Sequence, residues 1–182
     1  MIGPAPAHVL VADPPWRFKD SLPGPKRGAS SHYGCLSVAE LCNFPLPPLA
    51  DDVTLVLWRV AAMVEDAYRV CRAWGFVPKS ELVWVKTTKT GKRHFGMGHH
   101  VRAEHECAII ATRGSPKPFR RSTRSVFTAP VGRHSAKPDA FYELVAETWA
   151  GPYAELFARR RRGPEWTCFG NELPEVGAEA AE

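Results

Sequence analysis

The residues with the clearest chemical potential are Asp13-Pro14-Pro15-Trp16, directly after the apolar run His8-Val9-Leu10-Val11-Ala12. Consecutive prolines fix the backbone and remove two N–H donors, which leaves stiff carbonyl acceptors. Asp13 adds a carboxylate and Trp16 a flat apolar face. A rigid set of oxygens beside an indole suits a planar heterocycle with an exocyclic amine. The oxygens accept the amine's N–H bonds and the indole packs on the ring. Adenine, with its N6 amine, meets that description. The position agrees, because open α/β sheets place ligand crevices at the ends of strands.

Basic residues form the second feature. Arg113, Lys117, Arg120, Arg121 and Arg124 crowd one segment, and Arg159-Arg160-Arg161-Arg162 is unbroken. Lys and Arg exceed Asp and Glu by 24 to 19, a net charge of +5. Such clusters favour a polyanion through counterion release, so Arg120, Arg121 and Arg124 are candidate nucleic-acid contacts. Within the run, Arg160 to Arg162 are expected to meet phosphates or solvent. His99, His100, His105 and Cys107 match no closed zinc spacing, and no metal is expected.

Elements that could position these groups follow from the apolar pattern. Strands are expected at 8–12, 54–58, 81–86, 106–112, 153–158 and 166–169, none strictly alternating. Ser37 caps a short helix through Cys42, with Glu40 in the capping-box position. Residues 61–74 have helical spacing and stop at Gly75. A helix over about 138–148 begins with Pro138 in its first turn. The Gly- and Pro-rich stretch from Arg17 to Gly34 is expected to be a lid or binding loop. Buried strands interleaved with helices make an α/β layered sheet.

The 182 residues suit one domain. Residues 1–174 are expected to form it, with 175–182 an acidic tail. No apolar run is long enough for a membrane span, and the N-terminus lacks a secretory pattern. Five widely spaced cysteines without C-x-x-C favour a reducing cytoplasm.

Several blocks in order make the chain resemble the MT-A (70 kDa subunit) family of S-adenosylmethionine-dependent N6-adenine methyltransferases. They are Ala12 to Trp16; Tyr33-Gly34; Leu57-Trp58; Trp74-Gly75-Phe76; Trp84-Val85-Lys86-Thr87; Arg102 and Glu106 ahead of Arg113-Gly114; His134 to Pro138; Glu155 to Arg159; and Trp166 leading to Gly170-Asn171-Glu172. The resemblance runs from Val9 to about Leu173. It implies a Rossmann-like class I methyltransferase sheet with helices on both faces, permuted so that the catalytic strand precedes the cofactor strand.

The resemblance places catalysis on Asp13, Pro14, Pro15 and Trp16. It places S-adenosylmethionine against Asp13, Ser135, Lys137, Glu155, Leu156, Phe157, Arg159, Asn171 and Glu172. Glu155 would accept the ribose hydroxyls. A lysine at 137, beside a helix start, runs against the helix dipole, which favours a functional role there. Trp16, Tyr33, Lys86, Arg102 and Glu106 fall at the substrate side. The implied activity is methyl transfer to adenine N6, read first as DNA methylation. N6-adenosine methylation of RNA is the alternative, and a non-catalytic nucleic-acid-binding subunit the second alternative. Retention of Asp13 to Trp16 and Glu155 counts against the last. A homodimer, or a heterodimer with a related subunit, is implied by the family alone. With no C-x-x-C module and no separate recognition domain in the sequence, target choice is expected to come from the chain's own loops, from a partner, or to be weak.

Overall fold

The computed structural model describes residues 5–18, 34–96, 98, 100–132, 136–171 and 173. Tyr33, Ser135, Glu172, most of the expected lid (19–33) and the expected acidic tail lie outside the described residues. Seven strands form one sheet: β1 (Ala7–Ala12), β2 (Leu49–Arg59), β3 (Val77–Thr87), β4 (His105–Arg113), β5 (Val126–Pro130), β6 (Tyr153–Leu156) and β7 (Trp166–Phe169). Their order across the sheet is β5-β3-β4-β2-β1-β6-β7. Every neighbouring pair is parallel except the two that β4 makes, with β2 and β3. The C-terminal ends of the other six strands therefore share one edge with the N-terminal end of β4.

Helices cover both faces, as expected. On one face, α1 (Val38–Cys42) and α2 (Val64–Ala73) pack Leu41, Ala67, Val70 and Cys71 onto Leu10, Leu55, Leu57 and Ile109. On the other, α3 (Asp139–Thr148) packs Phe141, Tyr142 and Val145 onto Val9, Val11, Val56 and Trp58. Neighbours along β1 thus serve opposite cores, which is why its sequence shows no polar alternation.

Local signals largely hold. The capping box is present: Ser37 accepts from the Glu40 backbone N–H, while the Glu40 carboxylate accepts from Ser37 N–H. The helix expected over 61–74 is a 3-10 turn, Ala61–Met63, followed by α2. Gly75, at φ 82°, closes it in the left-handed conformation that glycine tolerates. Two indoles tie elements together. Trp74 Nε1 donates to Leu41 O at 2.8 Å, joining α2 to α1, and Trp84 Nε1 donates to Ala129 O at 2.9 Å, joining β3 to β5.

Candidate active site

The carboxyl edge of the sheet gathers most of the residues singled out by type. Asp13 follows β1 directly. Register pairs Val11 with Glu155 and Ala12 with Leu156, so residues more than 140 positions apart stand on neighbouring strands. After Asp13 the chain turns tightly, Trp16 N–H donating to Pro14 O at 2.8 Å. The Pro15 carbonyl accepts from Leu36 N–H at 2.8 Å. Each proline oxygen therefore has one bond in place and a second lone pair open. Trp16 is more deeply set than a displayed stacking face. Its indole N–H donates to Trp58 O at 3.0 Å and its ring joins the core under α2.

Behind Asp13 lies a charge network. Lys137, 8% exposed, places Nζ 2.6 Å from Asp13 Oδ2 and 3.2 Å from Glu106 Oε2. The other Glu106 oxygen is 2.7 Å from Lys86 Nζ. Burial by itself pulls the Lys137 ammonium's pKa down, but Asp13 and Glu106 outweigh it and hold the pKa above its ordinary value. Burial likewise pushes Glu106 up, and Lys137 and Lys86 reverse that into a net lowering. Lys137 also sits 5.0 Å from the centre of the Trp58 ring.

Two hollows open here. The larger, about 480 Å³, is lined among others by Asp13, Pro14, Trp16, Lys86, Glu106 and Trp58. The smaller, about 110 Å³, is lined among others by Tyr142, Glu155, Phe157 and Arg162. Asp13, Lys137 and Arg159 belong to both, so the hollows adjoin across them.

Glu155 is 5% exposed and its oxygens are already engaged. Tyr142 Oη donates to Oε1 at 2.7 Å, and Arg162 Nε donates to Oε2 at 2.7 Å. Phe157 follows with φ 63°, a left-handed conformation uncommon for a bulky residue, and its ring packs on Phe44 at 4.7 Å. At the end of β7, a Cβ on Gly170 would collide with the Ala158 carbonyl, so only glycine lets the two segments approach. Asn171 comes next and is exposed.

Some expectations need correction. Leu156 does not line either hollow; its side chain is 3% exposed in the core beneath α1 and α2 because β6 is covered on both faces. Arg162 is turned inward rather than out to solvent, largely buried against Glu155 and the Tyr142 and Trp166 rings at the wall of the smaller hollow. Arg160 and Arg161 are exposed, as expected, and Arg160 also pairs with Asp139. Arg120, Arg121 and Arg124 are not brought to the cleft. They follow the C-terminal end of β4, at the opposite edge of the sheet. Arg102 is exposed, next to Ala103 of the cleft wall.

The sequence did not single out Tyr142, and it marked Arg162 only as part of the Arg159–Arg162 run; that both meet Glu155 depends on tertiary packing that no local signal shows. Trp58 was noted only as part of a block. Its indole N–H is buried without a hydrogen-bond partner among the described residues, at the wall of the larger hollow. Among the described residues no group of His, Cys, Asp and Glu could hold a metal ion.

A family model described as MT-A70 matches residues 7–172. The chain belongs to the MT-A70 family. Among curated proteins, the human N(6)-adenosine-methyltransferase catalytic subunit METTL3 is 31% identical over 170 residues, covering 91% of this chain and 28% of its own length. The zebrafish (Danio rerio) N(6)-adenosine-methyltransferase subunit METTL3 gives the same figures. The Drosophila melanogaster N(6)-adenosine-methyltransferase MT-A70-like protein is 31% identical over 170 residues, covering 91% of the chain and 26% of its own length. The chain thus spans about a quarter of the length of these MT-A70 relatives.

Proposed function

We propose that this chain transfers the methyl group of S-adenosylmethionine to N6 of adenosine in RNA. The observation that carries the reading is Asp13, a strand-end carboxylate bordering both hollows, with one oxygen held by Lys137. The residues suit the cofactor by chemistry. Lys137 and Arg159 can balance a carboxylate, Glu155 retains lone pairs for hydroxyls, and the unpaired Trp58 N–H needs an acceptor that a bound ligand could bring.

S-adenosylmethionine, when bound, supplies a methyl already activated on a sulfonium. The protein's part is to present the amine. N6 is a poor nucleophile because its lone pair is delocalised into the ring. Asp13 Oδ1 and the open lone pair of the Pro14 carbonyl accept its hydrogens and orient that lone pair along the line of displacement. The same oxygens stabilise positive charge developing at N6, and that charge is discharged when N6 sheds one of its two hydrogens as a proton to water. Lys137, anchored by Glu106, keeps Asp13 in one rotamer, so the acceptor is in place beforehand.

The choice of RNA rests on the relatives' names, which specify adenosine, the ribonucleoside. The expectation of DNA rested on the compact single-domain chain, which does not distinguish the two polymers. Two relatives are named as subunits, and we extend association with a second subunit to this chain. The test is incubation with methyl-labelled cofactor and single-stranded RNA, single-stranded DNA or duplex DNA, then nucleoside analysis. N6-methyladenosine from RNA is the expected product. Label in DNA alone would restore the DNA reading. Absence of label in every arm, from folded protein, would end the enzymatic one.

A further inference from the structure

The opposite edge of the sheet presents a feature that the cleft does not use. Phe119 is 85% exposed, inside Pro116-Lys117-Pro118-Phe119-Arg120-Arg121. Its loop is fastened rather than loose. Phe119 and Arg120 N–H both donate to Thr148 O, at 2.8 and 3.2 Å, and Arg120 pairs with Glu147 at 2.6 Å. Thr123 Oγ1 lies 2.8 Å from Thr148 Oγ1. Arg120 is thus spent as an anchor to the last turn of α3. Lys117, Arg121 and Arg124 are exposed and have no acidic partner among the described residues. Beside them a hollow of about 320 Å³ is walled by Arg121, Thr123, Arg124, Leu144 and Trp149.

We infer that this edge is a second docking surface for single-stranded RNA, remote from the reacting base. Fixed cations without counter-charges attract phosphates. An exposed aromatic ring on a fastened backbone, in the same segment as these cations, offers a stacking platform for an unpaired base, tolerant of sequence. A protein partner would be met by the same ring, but uncompensated positive charge around it favours a polyanion. The surface rests on the RNA reading only for the choice of polymer. β4 links the two edges with nine residues, about 30 Å at roughly 3.3 Å each. A strand gripped here and methylated at Asp13 must therefore run across the molecule, giving grip on lengths that the cleft alone cannot hold.

The test compares wild type, Phe119→Ala and the Arg121→Glu/Arg124→Glu double variant, all changed at exposed positions. Each meets RNA of about thirty nucleotides and of about four, which is too short to join the edges at about 3.4 Å per stacked nucleotide. Binding is read by fluorescence anisotropy over a salt series, methylation by label. Phe119→Ala should weaken the long RNA about tenfold. The double variant should lower the slope of log affinity against log salt by about 1.4, at about 0.7 per contact. Methylation of the short RNA should stay at the wild-type rate. Unchanged binding of the long RNA overturns the inference, as does an equal loss on both lengths, or capture of an acidic protein with RNA binding intact. Should wild type methylate neither RNA while the variants still lose long-RNA binding, the methyltransfer reading fails and this surface stands.

Discussion

Lys137 shows how a single side chain organises the cleft. It is the buried cation between two carboxylates that would otherwise repel each other. Lys137→Met should remove methyl transfer and destabilise the fold by about 1–3 kcal/mol, since two half-buried carboxylates lose a charged hydrogen-bond donor; denaturant titration reads the second effect. Asp13→Ala should abolish transfer while cofactor affinity, followed by calorimetry, is partly kept; residual activity near wild type would refute its role. Tyr142→Phe separates holding from reacting. Glu155 loses one donor, so stability should fall by about 1–3 kcal/mol, and KM for the cofactor should rise more than kcat falls. Cys71 offers a simpler check. Burial pushes its thiol up to about 12, so alkylating reagents at pH 8 should leave it unmodified in the folded chain.

At the scale of elements, the turn after β1 and the close approach of the segments that follow β6 and β7 matter most. Trp16→Phe would leave the Trp58 carbonyl without its indole donor, costing about 1–2 kcal/mol, and would loosen the turn that presents Asp13. Gly170→Ala should impair the cofactor side selectively, because the added Cβ forces the segment carrying Asn171 away from Ala158; a raised cofactor KM with near-normal RNA binding is the expected pattern. Element types were largely legible, since apolar runs, the Ser37 box and Gly75 are local signals. β5 was not. Val126–Pro130 is short, exposed at both ends and adjacent to an arginine-rich segment, and it becomes a strand only by pairing with β3. Leu156 misled for a related reason. A strand covered on both faces gives no alternation to tell which side chain meets a ligand. The partnership of Tyr142, Glu155 and Arg162 depends on α3 lying over β6, which no spacing in the sequence encodes.

For the molecule as a whole, the sheet separates two tasks by edge, chemistry at one end and, by the inference above, grip at the other. The charge network sets a pH window. Glu106 titrates below its ordinary 4.5 when folded, so its stabilisation is present above that value and lost as pH falls through the depressed one. Lys137 titrates above its ordinary 10.5, so its contribution is complete below that value and lost as pH rises past the elevated one. Thermal unfolding should therefore give a flat plateau between about pH 5 and 10 as far as this network is concerned. Both flanks should vanish together in a Lys137→Met/Glu106→Gln background.

The seating of β1 between β2 and β6 has a consequence for biosynthesis. A ribosome delivers Asp13 more than 140 residues before Glu155, so the side of β1 that pairs with β6 stays bare in between. A nascent product therefore carries Asp13 to Trp16 without Glu155 beside them, and the proposed centre is assembled only when the late strand slots into place.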